Sequence, residues 1–331
     1  AFVDNDGNRY VALGTDKFLL LYFEGQLHDV TPLKTTLTSA TIATTSGSPT
    51  CTITKAAHGV AVGDIVQLDS VTLPGGTGFT NADFEDKNFQ VISVPTTGTF
   101  TINQASNASG TVSTGGSLSI KPYEPVGPRA QTYGYGWGMD PWSNGNWGEA
   151  AAASDVTLEP GLWSLDNFGE VLVATILNGK TFTWDSGISQ RLTTRSSTTT
   201  NNFATTNNPT KTRVTLISPT TRHLIHLGTE TIVGTPDSQD DMFIRFSDQE
   251  DINTYSPSAT NTAGTKRLQD GTKIIGAIKA KEVILIWTDN ALYTMKFIGS
   301  PFTFAVEQVG TNCGLIGQNA VIEIDGAAFW L

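Results

Sequence analysis

Three short stretches hold residue types that could do chemistry. "DNDGN" (4–8) sets Asp4, Asp6 and Asn8 at alternate positions, as in the opening of a calcium-binding loop. Such a loop closes with a Glu at its twelfth position, and Thr15 stands there instead. The stretch therefore reads as an Asp/Asn/Gly hairpin turn. "RHLIH" offers His223 and His226. The surrounding sequence predicts a strand, on which residues three apart point to opposite faces, so the two rings cannot share a metal ion. "SDQEDIN" (247–253) gathers Asp248, Glu250 and Asp251. Glycoside hydrolysis needs two carboxyl groups about 5–10 Å apart across a cleft. A run of carboxylates between strands reads instead as a solvated turn that caps its own backbone.

The two cysteines, Cys51 and Cys313, lie far apart. They form no C-x-x-C pair and have no His at zinc spacing. The expectation is two isolated, buried thiols in a protein made in a reducing cytoplasm. No G-x-S-x-G, P-loop, G-x-G-x-x-G or H-E-x-x-H pattern occurs. The residues thus predict no catalytic, cofactor-binding or metal-binding site, no cofactor and no enzyme. One further stretch, "YGYGWGMDPWSNGNWGEAAAA", places Trp137, Trp142 and Trp147 among glycines. Three uses stand open: stacking on sugar rings, anchoring an interface, or packing over the chain's own fold. Because Trp and Tyr concentrate at binding hot spots, these three are the candidate interface residues.

Bulk composition narrows the classes. Charged residues make up 15% of the 331 residues, the net charge is −11, and there are 33 glycines. Typical soluble domains carry ~25% charge, so this is a turn-rich β composition. Non-specific DNA or acidic-lipid binding needs clustered Lys and Arg, which the charge balance argues against. No apolar run approaches the ~20 residues of a membrane helix, and the first residues lack the basic start and apolar core of a signal peptide. The chain starts with Ala and stops within a hairpin, so it is expected to be a segment of a longer protein.

The elements that must position these residues repeat. A unit starts with a short strand of small and β-branched residues, turns on Asn-Gly, Thr-Asp or Asp-Gly, and returns through a strand rich in large aromatics. "NFGEVLVATILNGKTFTWDSG" (167–187) is one such unit. Others begin near residues 9, 221, 272 and 314. Period-two alternation in "ALYTMKF" marks a half-buried strand, and the apolar run "EVILIW" marks one buried on both faces. Only "NWGEAAAASDV" suggests a turn or two of helix. Repeats of roughly 40–55 residues with about four strands each are the signature of a β-propeller, with a generic antiparallel sandwich as the competing fold.

The fold class expected is all-β: antiparallel propeller-type blades with an inserted small β-barrel or sandwich. Residues 1–35 supply first blade strands, 36–121 the inserted domain, 122–166 a Gly/Trp-rich loop region and 167–331 further blades. Insertion at a loop tip is tolerated because the ends of the inserted domain can lie close together.

Two stretches carry a family resemblance. The run from "FIRFSDQEDINTY" through "AGTKRLQDGTKIIGAI", "ILIWTDNALYTMKFIG" and "CGLIGQNAVIEIDGAAFWL" resembles the blades of the nozzle, or tail tubular protein B, of short-tailed bacteriophages. "AAHGVAVGDIVQLDSV" with "FQVISVPTTGTFTI" resembles the small FCCH-like β-domain found inserted in phage virion proteins. The first resemblance implies a virion structural protein, a six-membered ring below the head-to-tail adaptor that continues the DNA exit channel. Its implied partners are copies of itself, the adaptor, tail fibre or spike proteins and the passing genome, with no membrane insertion. The implied location is the virion tail, after assembly in the host cytoplasm. The acidic balance suits such a duct, since duplex DNA carries one negative charge per ~1.7 Å and an acidic wall does not grip it. A receptor-binding or fibre-attachment protein of the tail is the alternative, and a propeller glycan hydrolase or lyase acting through Asp248, Glu250 or Asp251 is a third class.

Overall fold

A computed structural model describes residues 1–4, 6–126, 161–185 and 208–331, together with two short backbone strands at 131–133 and 154–156. The chain divides into two compact units, Ala1–Val30 with Val126–Leu331, and Thr31–Pro125. The first unit opens with β1 (Phe2–Val3), β2 (Arg9–Gly14), β3 (Leu19–Phe23) and β4 (Gln26–Asp29), an antiparallel meander in sequence order.

The second unit contains β5 (Leu37–Thr44), β6 (Thr50–Thr54), β7 (Ile65–Thr72), β8 (Lys87–Gln90), β9 (Ser93–Thr96), β10 (Thr99–Asn103) and β11 (Val112–Pro122). They form one antiparallel sheet in the order β8-β7-β11-β5-β6-β10-β9. Alternate residues of these strands converge on a single core with Ile42, Ile53, Leu68, Phe84 and Phe100 at its centre, so the sheet is a half-barrel with one inner face. The long β11 bends through register shifts against both neighbours. Gly116 sits in this bend at φ 68°, and a Cβ there would lie 2.3 Å from the Thr72 carbonyl oxygen, so only glycine fits. The base of the unit is zipped shut: Lys34 N–H donates to the Pro122 carbonyl at 2.7 Å and Glu124 N–H to that of Pro32 at 2.9 Å.

The first unit resumes with the short pair β12 (Gln131–Tyr133) and β13 (Ser154–Val156), then β14 (Trp163–Phe168), β15 (Val171–Ile176) and β16 (Thr181–Asp185). The turn between β15 and β16 puts Asn178 at φ 53°, a left-handed conformation that Asn tolerates. Two four-stranded meanders follow: β17 (Val214–Ile217), β18 (Leu224–Leu227), β19 (Phe243–Phe246) and β20 (Gly264–Arg267), then β21 (Ile274–Lys279), β22 (Val283–Thr288), β23 (Ala291–Gly299) and β24 (Thr303–Thr311). The hairpin β25 (Val321–Ile324) and β26 (Ala327–Trp330) is the fifth sheet in this series. Each sheet is a blade, and the leading strands β14, β17, β21 and β25 lie side by side in that order.

Stacking the blades buries their faces. Phe2, Tyr10, Leu19 and Leu21 of the first blade meet Trp163, Phe182 and Trp184 of the second. Each fully buried side chain of this size contributes about 1.5–3 kcal/mol. The approach is close enough that a Cβ on Gly14 would fall 2.5 Å from the Trp163 indole. Ile225, Ile244 and Phe246 of the third blade meet Ile274, Ile286 and Tyr293 of the fourth. Trp287 of the fourth meets Trp330 of the fifth at 5.5 Å between ring centroids. The joint between the second and third blades differs. A small apolar patch of Val173, Ile217, Leu224 and Tyr255 is flanked by buried hydroxyls, with Thr175 Oγ1 2.7 Å from Thr215 Oγ1 and 2.8 Å from Thr181 Oγ1.

The all-β, blade-type architecture with a small β-module follows the expected fold class. In "ALYTMKF", Tyr293 and Met295 are buried while Leu292 and Thr294 are half-buried, as period two requires. Three local expectations need correction. The run "EVILIW" is buried on both faces only at its end, because Val283 and Leu285 remain half-buried. β14 begins at Trp163, inside the stretch 122–166 expected to be loop, since pairing to β15 and burial of the indole specify that strand, not its own composition. Residues 154–156, the end of the expected helical turn, pair as a strand with 131–133. Trp137, Trp142 and Trp147 lie outside the described residues.

Candidate functional site at the inner strands

A cavity of about 360 Å³ opens between β14, β17 and β21, with Gln318 and Asn319 at its rim. That volume falls at the lower end of small-ligand sites, roughly 300–1,000 Å³. β17 pairs with β18 on one side only, so alternate N–H groups on its other edge need partners. Asp166 meets this need: its carboxylate accepts from Ile217 N–H at 2.7 Å. The same carboxylate accepts from Lys279 Nζ at 2.7 and 2.9 Å. One side chain of the second blade thus clasps the third through a backbone amide and the fourth through an ammonium. Gln318 Nε2 donates to Ser164 Oγ at 2.8 Å, which ties the segment before the fifth blade to the second. Asn167 N–H also donates to the Asp166 carboxylate at 2.9 Å, which thus accepts four hydrogen bonds and acts as a fastener.

The histidines singled out in the sequence do not meet. His223 Nδ1 lies 2.7 Å from Thr221 Oγ1, and its Nε2 3.0 Å from Thr262 Oγ1, while its ring abuts Phe246 and Phe304. His226 Nε2 lies 3.0 Å from the Tyr255 hydroxyl on the opposite face of the blade. Burial, opposed by the Asp248 charge, lowers the His223 pKa to about 4. Burial, aided by the Arg245 charge, lowers that of His226 to about 3. Both rings are neutral at pH 7.

The carboxylates of the 247–253 loop act locally. Asp248 accepts from Thr262 N–H at 2.8 Å, Thr262 Oγ1 at 2.6 Å and Gln249 N–H at 2.8 Å. Burial raises its pKa, but these bonds outweigh it and hold the carboxyl below its ordinary value. Asp251 accepts from Asn253 N–H and Thr254 Oγ1, both at 2.7 Å. Glu250 is exposed in a left-handed turn at φ 56°. Asp4, in "DNDGN", accepts from Asp6 N–H, Asn8 N–H, Asn8 Nδ2 and the Tyr10 hydroxyl at 2.8–3.1 Å, which closes the turn over the first blade.

Several working polar groups had no signal in the sequence. Glu230 is fully buried and accepts from the N–H groups of Thr210, Lys211, Gly234 and Thr235 as well as from Thr210 Oγ1. Arg245, also buried, donates to the carbonyls of Tyr255, Glu230 and Thr231. Burial lowers the Arg245 pKa and the Glu230 charge opposes that shift. In the second unit, carboxylate oxygens of Asp69, Glu85 and Asp86 lie within 4.8 Å of one another. They are already engaged in part, since Asp69 pairs with Lys121 and Glu85 accepts from Ser70 and Val71 N–H at 2.9 and 2.7 Å. Cys51 is buried as expected, and desolvation pushes its thiol up to about 11. Cys313 is only half-buried, a correction that follows from its place just beyond the last residue of β24.

No family model matches this chain, and no curated protein matches it. Among solved structures the chain is similar to the Phage phi92 endosialidase, at 16% identity and a TM-score of 0.30, over 97% of this chain and 52% of that one. The chain therefore spans about half the length of that protein.

Proposed function

We propose that the chain is a structural protein of a bacteriophage tail, a subunit of a ring that continues the DNA exit channel below the head-to-tail adaptor and retains and conducts the genome. The observation that supports this most is the placement of the run 243–331. The phrases whose order resembles nozzle proteins fall, in that order, on the outer half of the third blade, the whole of the fourth and the fifth hairpin. The side chains that offered chemistry support a role without turnover or cofactor, because Asp4, Asp248, Asp251, His223 and His226 each hold a turn or a blade. A net charge of −11 supports a wall along which DNA slides. The proposed partners are other copies in a six-membered ring, the adaptor, fibre or spike proteins, and the genome in transit. The place of action is the virion tail, after assembly in the host cytoplasm.

A reconstruction of the intact particle tests this reading. The chain is expected in a ring around the tail axis. A peripheral position on a spike would replace the proposal with a receptor-binding role. Release of sugar fragments by the pure protein, abolished by Asp248→Asn or Glu250→Gln, would replace it with an enzyme.

A further inference from the structure

Two polar atoms inside the third blade are left over by its hydrogen bonding. His226 is 1% exposed and Arg245 5%. His226 Nδ1 and Arg245 Nε have no hydrogen-bond partner among the described residues. The other polar atoms of the same two side chains are bonded. His226 Nε2 meets the Tyr255 hydroxyl at 3.0 Å. Arg245 Nη1 donates to the Tyr255 carbonyl at 3.3 Å, and Nη2 to the carbonyls of Glu230 and Thr231 at 3.2 and 2.8 Å. The large majority of buried polar side-chain atoms are paired, with protein or with ordered water, so two orphans in one place call for a cause.

The strand register places them together. His226 of β18 and Arg245 of β19 are direct cross-strand partners, so both side chains rise from one face with Cβ atoms about 4.5–5.5 Å apart. Thr215 of β17 pairs with His226 on its other side, and Thr215 Oγ1 meets Thr175 of the second blade at 2.7 Å. The face is therefore the one turned toward the second blade. Both side chains reach Tyr255 with their tips. Their orphan nitrogens lie nearer the backbone, and no direct bond joins them.

We propose that this face holds one structural water molecule, which accepts from Arg245 Nε–H and donates to His226 Nδ1. The ring then carries its proton on Nε2 and gives it to the Tyr255 hydroxyl. A water has both a lone pair and a hydrogen to offer, whereas an anion has only lone pairs. Charge points the same way, because the Arg245 guanidinium already faces the charge of the fully buried Glu230, and the site takes a neutral ligand. A water in such a place is a fixed part of the structure, costly to remove. Because both residues are buried, it exchanges with solvent only through motions that open this face.

A crystal structure of the whole chain, at a resolution that shows ordered water, tests the site. The expected result is a single peak within about 2.7–3.2 Å of both nitrogens, with the contacts to Tyr255 in place. Crystals soaked in sodium bromide are expected to show no anomalous signal there. The absence of a peak, a peak that reaches only one of the two nitrogens, or a protein group bonded to either of them would each overturn the proposal. A bromide signal at the position would overturn it in favour of an anion site.

Discussion

Replacing Asp166 by Ala should loosen the whole series of blades. The carboxylate accepts one backbone N–H from Ile217 and a two-oxygen contact from Lys279. Leaving a strand-edge amide without its acceptor costs about 1–3 kcal/mol. The Lys279 side chain is 39% exposed, so the ion pair itself is worth only about 0.2–1 kcal/mol. Asp166→Ala should therefore lose roughly 2–3 kcal/mol, Asp166→Asn about 1 because an amide oxygen still serves Ile217, and Lys279→Met less than about 1. The described tryptophans, Trp163, Trp184, Trp287 and Trp330, lie in the first unit, and the sequence has none in residues 31–125, so tryptophan fluorescence in urea follows that unit and not the second. With slopes of about 1–3 kcal/mol per molar urea, Asp166→Ala should lower the midpoint by about 1 M. If Lys279→Met lowers the midpoint as far as Asp166→Ala, the ion pair and not the amide clasp is the working part. If Asp166→Ala leaves the midpoint in place, the clasp contributes nothing and the reasoning fails.

Three other outcomes follow from the packing. Gly14→Ala should destabilise the first unit by about 1–3 kcal/mol, as overpacking does, because its methyl must enter the Trp163 indole; the fluorescence midpoint reads this, and no change would mean that the two strands part easily. The buried, neutral histidines make acid unfavourable. Their folded pKa values are lowered to about 4 and 3 from 6.5, so the unfolded chain binds more protons between pH 6.5 and those values and stability falls as pH drops through that window. The fall should shrink in His226→Gln, and an unchanged pH slope would count against a neutral ring. A thiol reagent should label Cys313 in the native protein and Cys51 only after unfolding, which mass spectrometry of the labelled peptides would check; rapid native labelling of Cys51 would contradict its burial.

The blades were legible where the signal is local. Residues 167–187 announce their hairpins through an Asn-Gly turn and period-two alternation, and Asn178 takes the left-handed conformation that such a turn demands. The 247–253 carboxylates were legible as a capped turn because their partners lie within a few residues or across one neighbouring loop. The clasp was not legible. Asp166 sits in "WSLDNF" like any strand-end acid, and its partners are 51 and 113 residues away. Glu230 and Arg245 escaped for the same reason: burial and the donors around them are properties of the assembled blades. Trp163 was missed although Pro160-Gly161 marks a turn just before it, because the expected loop region was carried past that turn to residue 166.

The threonine-lined joint between the second and third blades makes the first unit divisible. Parting any of the apolar joints would bring aromatic and aliphatic faces into water. Parting this one uncovers a smaller apolar patch of Val173, Ile217, Leu224 and Tyr255 together with Thr175, Thr181, Thr215, His226 and Arg245, groups that water solvates well, and it frees His226 Nδ1 and Arg245 Nε, which find no protein partner while buried. The unit thus has a fracture plane. Under load, or in the rare openings that hydrogen exchange detects, it should separate there into a leading pair of blades and a trailing group. The Asp166 clasp spans that plane like a rivet, adding a backbone acceptor and an ion pair to the joint with the least apolar contact.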